Sequence, residues 1–154
     1  MGRDLMRWLV CLWWIGLAIA CEVAAVGPAH TVGGIWPTIS DSAVIGLLCF
    51  LPGAAATSGL TSQTTQDRIL AATLTSVGIS SVIVGLMVAF GVQFDEHLLI
   101  AGLPVATGLG VVVSQLRTAR LPFPFGRAAA EIGFGLVGLF TVGGLVAMAR
   151  LAVT

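Results

Sequence analysis

The stretch ILAATLTSVGISSVIVGLMVAFGV, residues 69–92, decides the class of this chain. Its 24 positions hold no Asp, Glu, Lys, Arg or His. A helix needs about 20 predominantly apolar residues, each rising ~1.5 Å, to cross a hydrocarbon core of ~30 Å. A helix lying on a soluble core would carry a charged stripe on its outer face, and this one carries none. The reading is a membrane-spanning helix.

Four further stretches read the same way, which places helices at 8–26, 43–60, 69–92, 98–116 and 128–153. Composition agrees: 57% of residues are hydrophobic, 9% are charged, and the mean hydropathy is +1.04. Soluble domains run near 25% charged, so a water-facing surface could not be built from this chain. The expected fold is an all-α, polytopic transmembrane bundle of about five helices, one domain over residues 1–154. Pro52 and Gly53 interrupt the second helix and predict a kink, because packed neighbours can re-satisfy the freed carbonyl.

Short breaks join the helices, which favours antiparallel neighbours. With a cytoplasmic N-terminus, Arg3, Arg7, Arg68, Arg117, Arg120 and Arg127 fall on the cytoplasmic side and only Arg150 on the other. That is a strong positive-inside bias, so the N-terminus is expected inside and the C-terminus outside. Ala18-Ile19-Ala20 before Cys21 resembles a signal-peptide cleavage site, but the apolar run continues to Val26, which favours an uncleaved helix. The expected location is a bacterial plasma membrane, or an endomembrane in a eukaryote.

Small residues recur at spacing four on three helices: Gly16, Ala20 and Ala24; Ser81, Gly85 and Ala89; Gly102, Ala106, Gly110 and Ser114. Such stripes let helix backbones approach closely where no hydrophobic effect operates between them. Packing inside the bundle is the first expectation, and a partner-binding face the second.

Chemistry is sparse. His30 and His97 are far apart, and no metal-binding, phosphate-loop or nucleophile motif occurs. Cys11, Cys21 and Cys49 lie in apolar runs and read as packing residues. No cofactor and no nucleic-acid partner is expected; membrane lipids, other membrane proteins or a second copy are. Ionisable groups at membrane depth demand partners. Glu22 and Arg150 could form an intramembrane pair, or Arg150 could reach Asp95 or Glu96. Glu131 stands four residues from Arg127, the spacing of an i,i+4 pair. The most distinctive polar segment is Trp36-Pro37-Thr38-Ile39-Ser40-Asp41-Ser42. Within it Ser40 or Asp41 is expected to cap a helix beginning near Ser42, with Trp36 as an interfacial anchor beside Pro37. Trp36, Pro37, Ser40 and Asp41 form the candidate outer-loop site.

Pro37-x-Ile39-Ser40-Asp41 resembles the P-x-I-S-D element of the DRAM/Frag/Sfk family of small polytopic membrane proteins. Val88-Ala89-Phe90-Gly91-Val92-Gln93-Phe94, then His97, Gly102 and Gln115, look like that family's third-to-fourth helix region. The resemblance spans about residues 36–117. It implies six helices, a cytoplasmic N-terminus, the Pro–Asp element on the outer or luminal side, and a non-enzymatic role in lipid organisation or membrane trafficking. The chain departs from the pattern: one helix fewer, no Asn in the helix-end motif, altered spacing around His97, and no acidic residue at 42–46.

Three function classes follow: a non-catalytic protein packing against membrane proteins or lipids, such as an accessory subunit; a small transporter or channel coupling through the kinked helix with Asp67 or Glu22; and a lipid-modifying enzyme using His97, Asp95 and Glu96. Absent chemistry and short loops favour the first.

Overall fold

Apolar runs bounded by Pro, Gly and polar clusters become helices throughout the computed structural model, which describes residues 2–26, 35–58, 64–93, 96–118 and 125–153. His30, Asp95 and Arg120, and the side chains of Arg3 and Glu96, lie outside the described residues. Among the described residues six helices follow in order: α1 (Gly2–Val26), α2 (Trp36–Cys49), α3 (Leu51–Thr57), α4 (Thr65–Ala89), α5 (Glu96–Thr118) and α6 (Phe125–Val153). Helices α1, α4, α5 and α6 are each long and apolar enough to span a membrane, and α2 with α3, bent by 43° at their junction, forms either a broken fifth span or a re-entrant loop. All regular structure among the described residues is α-helical, as composition predicts.

The bend has a local cause. Pro52 has no backbone N–H, so the Leu48 carbonyl loses its donor four residues on. Ser80 of α4 supplies one, its Oγ donating to Leu48 O at 3.0 Å. On the far side of the break the Gly53 N–H donates to Ser76 Oγ at 2.7 Å. Two hydroxyls one turn apart on α4 thus satisfy the backbone groups that the proline disrupts, which hydrocarbon would leave bare at a cost of several kcal/mol each.

Close approach follows from the same residues. A Cβ at Gly53 would sink into the Ala72 carbonyl and come within 2.7 Å of the Ser76 nitrogen. On the opposite side, a Cβ at Gly110 would lie 3.0 Å from Pro52 O and 3.1 Å from the Ala56 nitrogen. Helix α3 is therefore wedged between α4 and α5, and Leu51, Ala54 and Ala55 are fully buried. Helix α2 rests on α1 and α6, where Gly46 faces Leu139 and Gly138 faces the ring of Phe50.

Large apolar residues line the outer surface as well as the interior. Small residues and hydroxyls fill much of the interior, among them Ala18, Ala54, Ala72, Ser76 and Thr107, while Leu70, Leu74, Val82, Leu116, Phe140 and Leu151 point outward. Other hydroxyls fold back on their own helix, as Thr107, Thr118 and Thr141 do on carbonyls four residues earlier.

Helix boundaries differ from the sequence expectation most at the second span. Its helix begins at Trp36, not near Ser42, because Pro37 suits the first turn, where its missing N–H costs nothing. Ser40 and Asp41 are therefore not caps; the residue before the helix is Ile35, which makes no side-chain cap. The described cap of this kind belongs to α4: Thr64 Oγ1 accepts from the Asp67 N–H at 3.2 Å and donates to Asp67 Oδ2 at 2.7 Å.

The small-residue stripes divide. Gly110 and Ser114 lie buried against α3 and the residue that follows it, Ser58, whereas a Cβ at Gly102 would meet nothing within 4 Å and Ala106 is only half-buried. Each step of four advances ~40° around a helix, so four members fan over about 120° and cannot all face one neighbour. On α4 the inward seam is Ala72, Ser76 and Ser80; Ser81, Gly85 and Ala89 are exposed. On α1 the packed face is Val10, Trp14, Ala18, Cys21 and Ala25, while Gly16 and Ala20 are exposed and Ala24 is half-buried. The interior-packing expectation is corrected for those two stripes: larger residues on the opposite face of α1, and the hydroxyls demanded by the α2–α3 break, took the inward positions.

Candidate functional site

The densest polar cluster lies where the C-terminal ends of α3 and α5 meet the N-terminal ends of α4 and α6. Glu131, in the second turn of α6, is buried and accepts two hydrogen bonds on Oε2. One comes from Arg68 Nη2 at 2.5 Å and the other from Ser58 Oγ at 3.0 Å. Ser58 in turn accepts from Ser114 Oγ on its carbonyl at 2.6 Å. The Arg68 guanidinium carbon stands 4.1 Å from the centroid of the Phe134 ring, a cation–π contact, and Phe134 lies 5.5 Å from Phe50 at the helix break.

The side chains of Arg68 and Glu131 are 12% and 3% exposed. A buried carboxylate is tolerated because a guanidinium and a hydroxyl surround it. Glu131 is thus not simply the i,i+4 partner of Arg127: its ion pair joins α6 to α4, 63 residues apart in sequence. Nearby, Arg7 Nη2 donates to the Thr118 carbonyl at 2.8 Å, so α1 is tied to α5 at the same end of the bundle.

At the other end the candidate outer-loop residues separate. Ser40 is buried and donates from Oγ to the Ala25 carbonyl at 3.3 Å, which fastens the start of α2 to the end of α1. Asp41 pairs with Arg150, whose Nε and Nη2 donate to Oδ2 at 2.9 and 2.5 Å. Trp36 is half exposed and Pro37 partly buried. Arg150 therefore faces Asp41 rather than Glu22, because α2 extends far enough to bring its first turns beside the end of α6. Glu22 is partly buried and makes no ion pair among the described residues. Asp67 is committed to the α4 cap, and His97 lies exposed in the first turn of α5.

The sequence carried a signal for part of this cluster. A Glu inside an apolar run must find a counter-charge, but nothing in one dimension selects Arg68 over Arg127. The Thr64-x-x-Asp67 pattern was legible as a capping box and was missed.

A multi-pass helical membrane protein is what the long apolar helices and the apolar outer surface define. Compared with protein families, curated proteins and solved structures, the chain matches none.

Proposed function

We propose that this chain is a non-catalytic membrane protein that packs against other membrane-embedded helices, as an accessory subunit or as a scaffold for lipid organisation. One observation carries the reading: the small-residue seams of α1 and α4 face outward. Gly16, Ala20, Ser81, Gly85 and Ala89 are exposed, and a Cβ at Gly16 or Gly85 would meet nothing within 4 Å. Large side chains such as Leu74, Val82, Phe140 and Leu151 stand out elsewhere on the outer surface, so these seams are places where a foreign helix backbone could come close. The DRAM/Frag/Sfk resemblance fits the same class, its Pro37–Asp41 element serving in this chain to join α2 to α1 and α6.

A transporter reading would enlist the bent second span and the buried ion pair. It is less well supported, because Ser76 and Ser80 already occupy backbone groups at the break and Glu131 is engaged by Arg68 and Ser58.

Mild-detergent extraction with mass spectrometry tests the packing reading. Gly85→Leu and Gly16→Leu add bulk where there is open space, so the bundle should stay folded while a stoichiometric partner, or a second copy, is lost. Recovery of the same partners with both variants would refute it.

A further inference from the structure

Helices α1 and α5 leave a groove of about 460 Å³ between them. Its two ends differ in chemistry. Arg7, Trp8 and Gln115 form one end, while Ile15, Gly108 and Val112 line the part toward the middle of the bundle. The face of α1 that lines it lies opposite to the Gly16–Ala20 seam, so this is a second surface.

We propose that this groove holds one acyl chain of an anionic phospholipid, with the phosphate at Arg7. The inference rests on the helices spanning a bilayer and is independent of any protein partner.

Length argues for lipid first. From Arg7 to Ile15 the groove runs eight residues, about 12 Å at ~1.5 Å per residue. That is close to one leaflet, half of a ~30 Å hydrocarbon core. A helix from a second copy would need a seam continuing through both leaflets.

Charge argues for an anionic headgroup. The Arg7 guanidinium is held at the mouth by its bond to the Thr118 carbonyl. Arg117 is exposed in the last turn of α5. In sequence Arg3 and Arg120 flank the same two helix ends, against Asp4 as the acidic residue there. Guanidinium groups suit phosphate because their planar donors match its oxygens. Trp8 is 65% exposed beside Arg7, an amphipathic ring at the level where headgroups meet acyl chains.

Gly108 permits a clean test, since a Cβ there would meet nothing within 4 Å. A leucine at that position extends into the groove from a Cβ that touches no neighbour. Native mass spectrometry of purified protein, titrated with phosphatidylglycerol or phosphatidylcholine, reads occupancy directly. Wild type should retain phosphatidylglycerol about fivefold better than phosphatidylcholine, the worth of roughly one basic side chain at an anionic surface. Arg7→Gln should remove that preference while both lipids still bind weakly. Gly108→Leu should lose both lipids, and Gly144→Leu, exposed on α6 away from the groove, should lose neither. Unchanged phosphatidylglycerol occupancy in Gly108→Leu would overturn the proposal. So would equal retention of the two lipids by wild type, or a dimer that Gly108→Leu dissolves in place of a lipid adduct.

Discussion

Gly53 of α3 and Ala72 of α4 meet backbone to backbone: no side chain, not even a methyl group, fits between the Gly53 Cα and the Ala72 carbonyl. The contact brings the Gly53 N–H onto Ser76 and fixes the depth of the wedge between α4 and α5. Gly53→Ala should therefore force the two helices apart and cost ~1–3 kcal/mol or more. Gly102→Ala, in open space, should cost far less. Unfolding in mixed detergent and SDS compares them, and equal midpoints would show that the close approach does not matter.

Ser80 and Pro52 should be energetically coupled. Removing the hydroxyl leaves the Leu48 carbonyl without its donor, at a cost of ~1–3 kcal/mol for a buried group and less here, where Ser80 is only half-buried. In a Pro52→Ala background, residue 52 regains an N–H able to reach the same carbonyl, so Ser80→Ala should cost less. A double-mutant cycle with no coupling energy would rule out this account of the bend.

Breaking the Arg68–Glu131 pair from one side should destabilise strongly. Glu131→Leu strands a guanidinium that is 12% exposed, and such losses run ~3–5 kcal/mol. Arg68→Met combined with Glu131→Leu should recover most of that, because no charge is then left alone. A double variant as unstable as the worse single one would point to a role for the charges beyond mutual compensation.

Asp41 and Arg150 call for a smaller number. Both side chains are nearly half exposed, 44% and 45%, so the pair should contribute ~0–1 kcal/mol after screening. Asp41→Ala and Arg150→Ala should each have a small effect, and their combination no more than either. A loss above ~1 kcal/mol for Asp41→Ala that persists in an Arg150→Ala background would assign Asp41 a role that this contact does not contain.

The arginine distribution predicts an inside N-terminus. A C-terminal alkaline phosphatase fusion should be active and a C-terminal fluorescent protein dark, the result for five spans with the N-terminus inside. The opposite pattern would mean an even number of crossings or an inverted bundle.

Membrane class and the kink at Pro52 were legible in one dimension, because each depends on local chemistry: run length against bilayer thickness, and a proline without a donor. The burial of Glu131 was half legible, since a carboxylate in an apolar run requires a partner without naming it. The stripes misled because spacing marks a face of a helix but not the direction in which that face points. Ser81-x3-Gly85 and Ala72-x3-Ser76 are equivalent as patterns, and only the position of Gly53 separates them.

What the sequence determined by itself is that this chain forms hydrogen-bonded helices of bilayer length, since hydrocarbon penalises unsatisfied backbone wherever the helices stand. Which faces turned inward was decided by tertiary structure alone. The break at Pro52 had to find hydroxyls on another helix, and Ser76 and Ser80 could supply them only by turning Ala72 toward Gly53 and leaving Gly85 outside.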